Sequence, residues 1–162
     1  MTQGTTAALG PDLRVTEQGG VFYLQGVLNE NSELALLLSL QAPLILNFRH
    51  VERFNSVGIR NLLRFLQQWG QKPLVYFDCP SELINQISMI PSLLGLPKPV
   101  AKVETLFVPY ECTSCDHEAE ILAPLSEFAA VADGENAPAK PCPKCGKSME
   151  VASDTFFAFL EA

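Results

Sequence analysis

Histidine is scarce in this chain: His50 and His117 are the only two in 162 residues. Nucleophilic triads and most hydrolytic metal sites are built around histidine, so the material for them is missing. Neither a Gly-rich phosphate loop nor a paired-carboxylate motif emerges, and an enzyme is not expected. Long apolar runs are missing too. The greasiest stretch, Leu34 to Phe48, is interrupted by Ser39, Gln41, Pro43 and Asn47, whereas a membrane span needs roughly 20 apolar residues. Met1 to Gly10 holds neither Lys nor Arg and no apolar stretch. It reads as a floppy lead-in over residues 1–11 rather than a secretory signal. With 48% apolar and 18% charged residues, a packed core is feasible and global disorder is excluded. The length suits one domain, or one of about 100 residues plus a small module.

Basic residues run short in one part only. Residues 1–106 hold eight Lys/Arg and eight Asp/Glu, while residues 107–162 hold three Lys and ten Asp/Glu. The whole formal charge of −7 therefore lies in the last third, which marks a boundary near residue 106. Phosphate contacts need Lys and Arg, so nucleic-acid binding through that third is disfavoured.

Elements follow from periodicity and breakers. Leu13 to Glu17 alternates, Gly19-Gly20 signals a tight turn, and Val21 to Val27 answers as a second strand. Ser32 can cap a helix through Leu40 with Leu34, Leu37 and Leu38 inward, and Pro43 forces an exit. Leu44 to Phe48 is a buried strand. Ile59, Leu62, Leu63, Leu66 and Trp69 recur at helical spacing, with Asn55 or Ser56 to cap the start and Gly70 to close the end. Leu74 to Phe77 is a strand, and Glu82 to Ile90 a helix with Leu83, Ile84 and Ile87 inward. Pro91 to Pro99 is a loop and Val100 to Val108 the last strand before a loop-bearing module, with Ala129 to Lys140 irregular. Strand–helix–strand succession predicts parallel neighbours and right-handed crossovers: an α/β fold, a mixed sheet with helices packed against it.

Cysteine is used with economy. Four of five cysteines form two Cys-x-x-Cys pairs, Cys112/Cys115 and Cys142/Cys145. Two such turns can each set two thiolates at about 2.3 Å from one tetrahedral zinc. Four thiolates leave no open position, so the site is structural. A module of about 55 residues with few large apolar side chains lacks burial energy, and metal binding of about 10–16 kcal/mol would supply it. One structural zinc ion at Cys112, Cys115, Cys142 and Cys145 is the expectation, with a small C-terminal zinc-ribbon β module around it at residues 107–162. The second knuckle, Cys142-Pro-Lys-Cys145-Gly146, also resembles that of rubredoxins, which keeps iron and electron transfer as an alternative; Asp116 stands where rubredoxins have Gly. A zinc ribbon that binds nucleic acid is a further alternative, set against the acidic charge. His117 reads as a surface residue, and Cys79 as a semi-buried thiol outside the quartet. Free thiols in such a pattern suit a reducing compartment, so the cytoplasm is the expected location.

Leu44-Ile-Leu-Asn-Phe, then Phe54-Asn55-Ser56-Val57-Gly58-Ile59, then the helix to Trp69, resembles the central motif of STAS domains, the sulfate-transporter and anti-sigma-factor-antagonist domains. Gly26-Val27-Leu28 resembles the early Gly-x-Leu of that family. The resemblance covers about residues 12–106. It implies a sheet backed by helices that binds partner proteins, such as an anti-sigma-factor or kinase-like regulator, and is switched by phosphorylation. Asn55 stands where the family has Asp, Ser56 matches the first hydroxyl residue, and Val57 occupies the usual phospho-acceptor position without a hydroxyl. Ser56 is a candidate substitute acceptor, with a helix N-cap as its favoured plain reading. The implied partner surface comprises Asn55, Ser56, Val57, Arg60 and Arg64, with Arg53 nearby. A phosphate at a helix start would meet the dipole and free N–H groups and would carry up to two negative charges onto a docking face.

Overall fold

The computed structural model describes residues 4–95, 98 and 100–161. Among the described residues ten strands form two sheets. In the first the spatial order is β1 (Thr5–Ala8), β2 (Leu13–Gln18), β3 (Val21–Leu28), β4 (Leu44–Phe54), β5 (Leu74–Phe77) and β6 (Ala101–Val103). The first three are antiparallel neighbours, and β3 through β6 run parallel. Two α-helices, α1 (Ser56–Trp69) and α2 (Ser81–Met89), connect strands of this sheet. The fold is thus mixed α/β. The second sheet has the order β8 (Glu118–Pro124), β7 (Thr105–Glu111), β10 (Ser148–Val151), β9 (Lys140–Pro141).

The β2–β3 hairpin closes with Gln18 opposite Val21, and Gly19 and Gly20 have φ of 61° and 82°. A two-residue turn whose twist matches its strands needs positive φ at both positions, which only glycine supplies freely. Helix α1 buries Ile59, Leu62, Phe65, Leu66 and Trp69. These share a hydrophobic cluster with Leu46 and Phe48 of β4, Tyr76 of β5, and Leu83 and Ile87 of α2.

Several expectations are corrected. The lead-in is a strand over Thr5–Ala8, paired with β2; its alternatives are hard to see because all four side chains are exposed. Residues 1–3 lie outside the described residues. The helix expected from Ser32 is a six-residue 3-10 turn, Leu34–Ser39, without a side-chain cap. Ser32 Oγ is committed elsewhere: it accepts from the Asn29 N–H at 2.9 Å and donates to the Val27 carbonyl. Strand β4 continues six residues past Phe48 because its polar half still pairs with β3, Gln25 opposite His50 and Leu28 opposite Phe54. Irregularities in that pairing scramble the alternation that would have revealed it. The expected loop at Pro91–Pro99 begins as a 3-10 turn, Pro91–Leu94, and residues 96, 97 and 99 fall outside the described residues. The irregular stretch from Ala129 starts inside another 3-10 segment, Leu125–Asp133.

The strand expected at Val100–Val108 is two strands in two sheets. Its break at Glu104 is fixed by side chains around Thr105, the first residue of β7. Asp78, at φ 50°, donates its N–H to Thr105 Oγ1 at 2.7 Å and accepts that hydroxyl on Oδ1 at 2.8 Å. The buried Asn47 donates Nδ2–H to Asp78 Oδ2 at 3.1 Å. The chain then runs beside Cys79, with the Cys79 N–H donating to the Thr105 carbonyl and the Phe107 N–H to the Cys79 carbonyl. The two sheets are therefore stitched together by backbone bonds and share one hydrophobic cluster.

The second sheet also has more core than its sequence promised. Tyr110, Phe128, Met149, Phe156, Phe157 and Phe159 are all buried. Phe128 and Phe157 stack at 4.6 Å between centroids, and Phe156 meets Phe157 edge-on at 4.9 Å. Part of that burial is against the first sheet's helix: Ser88 of α2 donates to the Phe156 carbonyl at 2.8 Å.

Candidate functional site

The four knuckle cysteines come together at one end of the second sheet. Their sulfurs all lie within 4.8 Å of one another. Cys112 Sγ is 3.5 Å from Cys145 Sγ, and Cys115 Sγ is 3.6 Å from Cys142 Sγ. A tetrahedron with metal–sulfur bonds of about 2.3 Å has sulfur–sulfur edges of about 3.8 Å, so the quartet fits a single metal ion. His117 is not a member of the cluster.

The two halves of the site are the same turn built twice. After β7 the Cys112 N–H donates to the His117 carbonyl, and the Asp116 N–H to the Cys112 carbonyl, both at 2.8 Å. Before β10 the Cys142 N–H donates to the Lys147 carbonyl at 2.7 Å, and the Gly146 N–H to the Cys142 carbonyl at 2.8 Å. The residue after each second cysteine takes positive φ: 57° at Asp116 and 78° at Gly146. Glycine adopts that conformation without strain and aspartate at a modest cost. The turn also aims N–H groups at sulfur, those of Ser114 and Cys115 at Cys112 and those of Lys144 and Cys145 at Cys142.

The surroundings of the sulfurs differ. At Cys112 burial opposes ionisation, but the Ser114 and Cys115 N–H groups and the Cys145 and Cys115 thiols outweigh it and bring the pKa down to about 7. Cys142 moves the same way: burial opposes, and the Cys145 and Lys144 N–H groups prevail. At Cys115 the His117 N–H favours the thiolate, yet burial and the neighbouring sulfurs override it and push the pKa up to about 12. Four sulfurs within 4.8 Å of one another cannot all ionise without a cation to balance them. Cys112 and Cys142 are buried, whereas Cys145 is exposed.

Cys79 is not semi-buried, as expected, but has no exposure at all. It lies where the two sheets join, and burial, with the Asp78 charge second, pushes its thiol well above the ordinary range.

The start of α1 is the other place where the sequence pointed to function. Asn55, not Ser56, is the N-cap: Asn55 Oδ1 accepts from the Gly58 N–H at 2.7 Å. Ser56 is the first helical residue, exposed, so its plain role as a cap is overturned. Asn55 has a second task, donating Nδ2–H to Glu30 Oε2 at 2.7 Å. Its own backbone hydrogen bond and then Asn55 hold the Glu30 carboxyl below the usual range. The helix start is seated directly on the end of β3. A Cβ on Gly58 would lie 2.1 Å from the Leu28 carbonyl oxygen. Asn61 Nδ2 donates to the Asn29 carbonyl at 3.1 Å. Gly26 has an equal constraint, with φ of 118° and a Cβ that would meet the Asp12 carbonyl oxygen at 2.1 Å. Arg53, Asn55, Ser56, Arg60 and Arg64 are all exposed and Val57 is half-buried. Sequence reasoning missed Glu30 and Asn61, which hold this corner, because each lies far in sequence from the group it contacts.

No family model, no characterised protein and no solved structure matches this chain. No described helix is long and apolar enough to cross a membrane.

Proposed function

We propose that this chain is a non-enzymatic regulatory module of the STAS, anti-sigma-factor-antagonist type, that it carries one structural zinc ion in a C-terminal ribbon, and that it works in the cytoplasm by binding a protein partner. The observation that carries this reading is the construction of the α1 start. An exposed hydroxyl residue, Ser56, sits at the first helical position, held by the Asn55 cap and by Gly58 against the β3 backbone. Exposed Arg53, Arg60 and Arg64 accompany it on the same segments. A phosphate on Ser56 would gain from the helix dipole and from these cations. It would also place new charge on the surface a partner must approach. The glycines of both resembling motifs, Gly26 and Gly58, have steric reasons to be glycine, which supports treating the motifs as structural signatures.

Zinc is the favoured occupant of the four-thiolate site because the shell is closed and the ion needs no redox partner. The acidic C-terminal third argues against nucleic acid as the ligand.

The test is capture of partners from native lysate with tagged wild-type protein and with Ser56→Asp. An anti-sigma-factor-like or kinase-like protein retained by the wild type and lost with Ser56→Asp supports the reading. Identical retention by both forms removes Ser56 as the control point, and retention of no specific protein removes the partner-binding role.

A further inference from the structure

The four knuckle cysteines are not equally reachable. Cys112 and Cys142 are buried, Cys115 is half-buried and Cys145 is exposed. The charges beside them differ too. Lys144 precedes Cys145 and Lys147 follows it by two residues, both exposed. Among the described residues neither lysine is in an ion pair. Cys115 is followed instead by Asp116 and Glu118, which are also exposed. An exposed sulfur with cations beside it and a second sulfur within reach is the setting of an oxidant-sensitive cysteine. The second sulfur is present: Cys145 Sγ lies 3.5 Å from Cys112 Sγ. Cys142, the other member of its knuckle, is engaged with Cys115 at 3.6 Å. Both contacts run from one knuckle to the other.

We propose that this site is a redox switch, in which hydrogen peroxide enters at Cys145, joins it to Cys112 as a disulfide and so releases the metal. The proposal rests on the zinc reading given above and adds its regulation.

The Cys145 thiolate attacks one oxygen of the peroxide. A sulfur–oxygen bond forms and the oxygen–oxygen bond breaks. Hydroxide departs in the field of Lys144 and Lys147 and takes a proton to become water. The Cys112 thiolate then attacks the sulfur of the resulting sulfenic acid. The sulfur–sulfur bond forms, the sulfur–oxygen bond breaks, and a second hydroxide leaves as water. Each sulfur loses one electron, the peroxide gains two, and two protons are consumed. Peroxide has only two heavy atoms and reaches a metal-held sulfur, whereas bulky thiol reagents need the site opened. Cys115 and Cys142 are then the only thiolates left, and two hold a dication far less tightly than four.

The new bond also has a structural effect. It spans 33 residues and joins the chain after β7 to the chain before β10, strands already paired at Glu111 and Glu150. The knuckles therefore stay tied when the metal has left. Thiol–disulfide exchange with a small reductant restores the starting site.

The experiment uses the full chain purified under reducing conditions, with its zinc measured first by elemental analysis. Hydrogen peroxide is added in the presence of the coloured zinc chelator 4-(2-pyridylazo)resorcinol, with a peroxide-free sample as background. Disulfides are mapped by mass spectrometry of a non-reducing digest. Zinc should appear in step with a Cys112–Cys145 disulfide, and dithiothreitol with added zinc should restore the loaded protein. Hydrogen exchange in β7 and β10 should be slower in the oxidised chain than in the reduced chain stripped by chelator. Lys144→Gln combined with Lys147→Gln alters side chains only and keeps the backbone bonds of the turn. It should keep its zinc and release it about fivefold more slowly under peroxide. Zinc that stays bound while a free cysteine peptide in the same sample is oxidised overturns the proposal. So does a disulfide confined to one knuckle, or a lysine variant that releases zinc at the wild-type rate. A chain with no zinc at the outset fails the zinc reading instead, and peroxide on that reduced chain still tests the pairing, any disulfide other than Cys112–Cys145 counting against it.

Discussion

Replacing Gly58 by alanine tests how α1 is seated. In an exposed helix interior the change would stabilise by about 0.8–1.0 kcal/mol, since alanine is the better helix former. Here the new Cβ would lie 2.1 Å from the Leu28 carbonyl oxygen, 2.4 Å from its carbon and 2.8 Å from the Asn29 nitrogen. All three are backbone atoms, so no side chain can swing aside. The helix start must retreat by roughly 1 Å, which weakens the Asn55 cap, the Asn61 bond to the Asn29 carbonyl and the packing of Ile59. Overpacking against an unyielding neighbour costs about 1–3 kcal/mol, and a lost cap adds about 1 kcal/mol. Set against the propensity gain, the net loss is about 2 kcal/mol. For a chain of this size that lowers Tm by roughly 4–8 °C. Urea titration followed by circular dichroism measures it, with Gln67→Ala on the exposed face of the same helix as the control. A Gly58→Ala protein as stable as the wild type, or more so, would refute the close seating of α1 on β3.

Asn55→Asp keeps a capping oxygen but turns a donor facing Glu30 into a second carboxylate. The Glu30 pKa, now below the usual range, should rise in the variant. In the wild type the stability from Glu30 is present above its unfolded pKa of about 4.3 and is lost as pH falls through its lower folded value. In the variant that contribution should shrink or reverse near neutrality, and NMR titration of Glu30 that is unchanged would contradict the contact. Cys79, fully buried with a raised pKa, should resist thiol reagents until the protein unfolds; reaction at the rate of a free thiol in the native state would show that the junction between the sheets is open. Asp116→Gly should stabilise the metal-bound protein by about 1 kcal/mol, since it relieves the one positive-φ aspartate of the knuckles, and a lower melting temperature would argue against the matched turns. With a metal held by the four cysteines, a chelator should selectively loosen β7, β9 and β10, with amide exchange rising there before it rises in β3 and β4.

The parts legible in the sequence were those that a local pattern determines. The Gly19-Gly20 turn, the periodic face of α1 and the paired cysteine spacings each need only a few neighbouring residues to specify them. Elements hidden from sequence depend on distant groups. The polar half of β4 is a strand because β3 lies beside it, not because Arg49 to Phe54 prefer to extend. Ser32 would cap a helix if Asn29 and Val27 did not already occupy its hydroxyl. The break just before Thr105 rests on Asp78 and Asn47, 27 residues or more away in the chain. At the candidate site the four sulfurs were legible, whereas the repeat of the same turn at Asp116 and Gly146 was masked by their different residue types. Ser56 and Asn55 were both reasonable caps by type, and only the Gly58 N–H geometry separates them.

The most direct test of a closed, structural zinc site is elemental analysis of protein purified under reducing conditions, read beside its visible spectrum and a thiol count. One zinc per chain, no visible absorption, and thiols that become reactive only after chelation and unfolding are the predicted results, with zinc lost in Cys112→Ser and Cys142→Ser. Iron with visible absorption would replace zinc by a redox centre, and a metal-free protein with four freely reacting thiols would contradict the claim that a metal holds the second sheet.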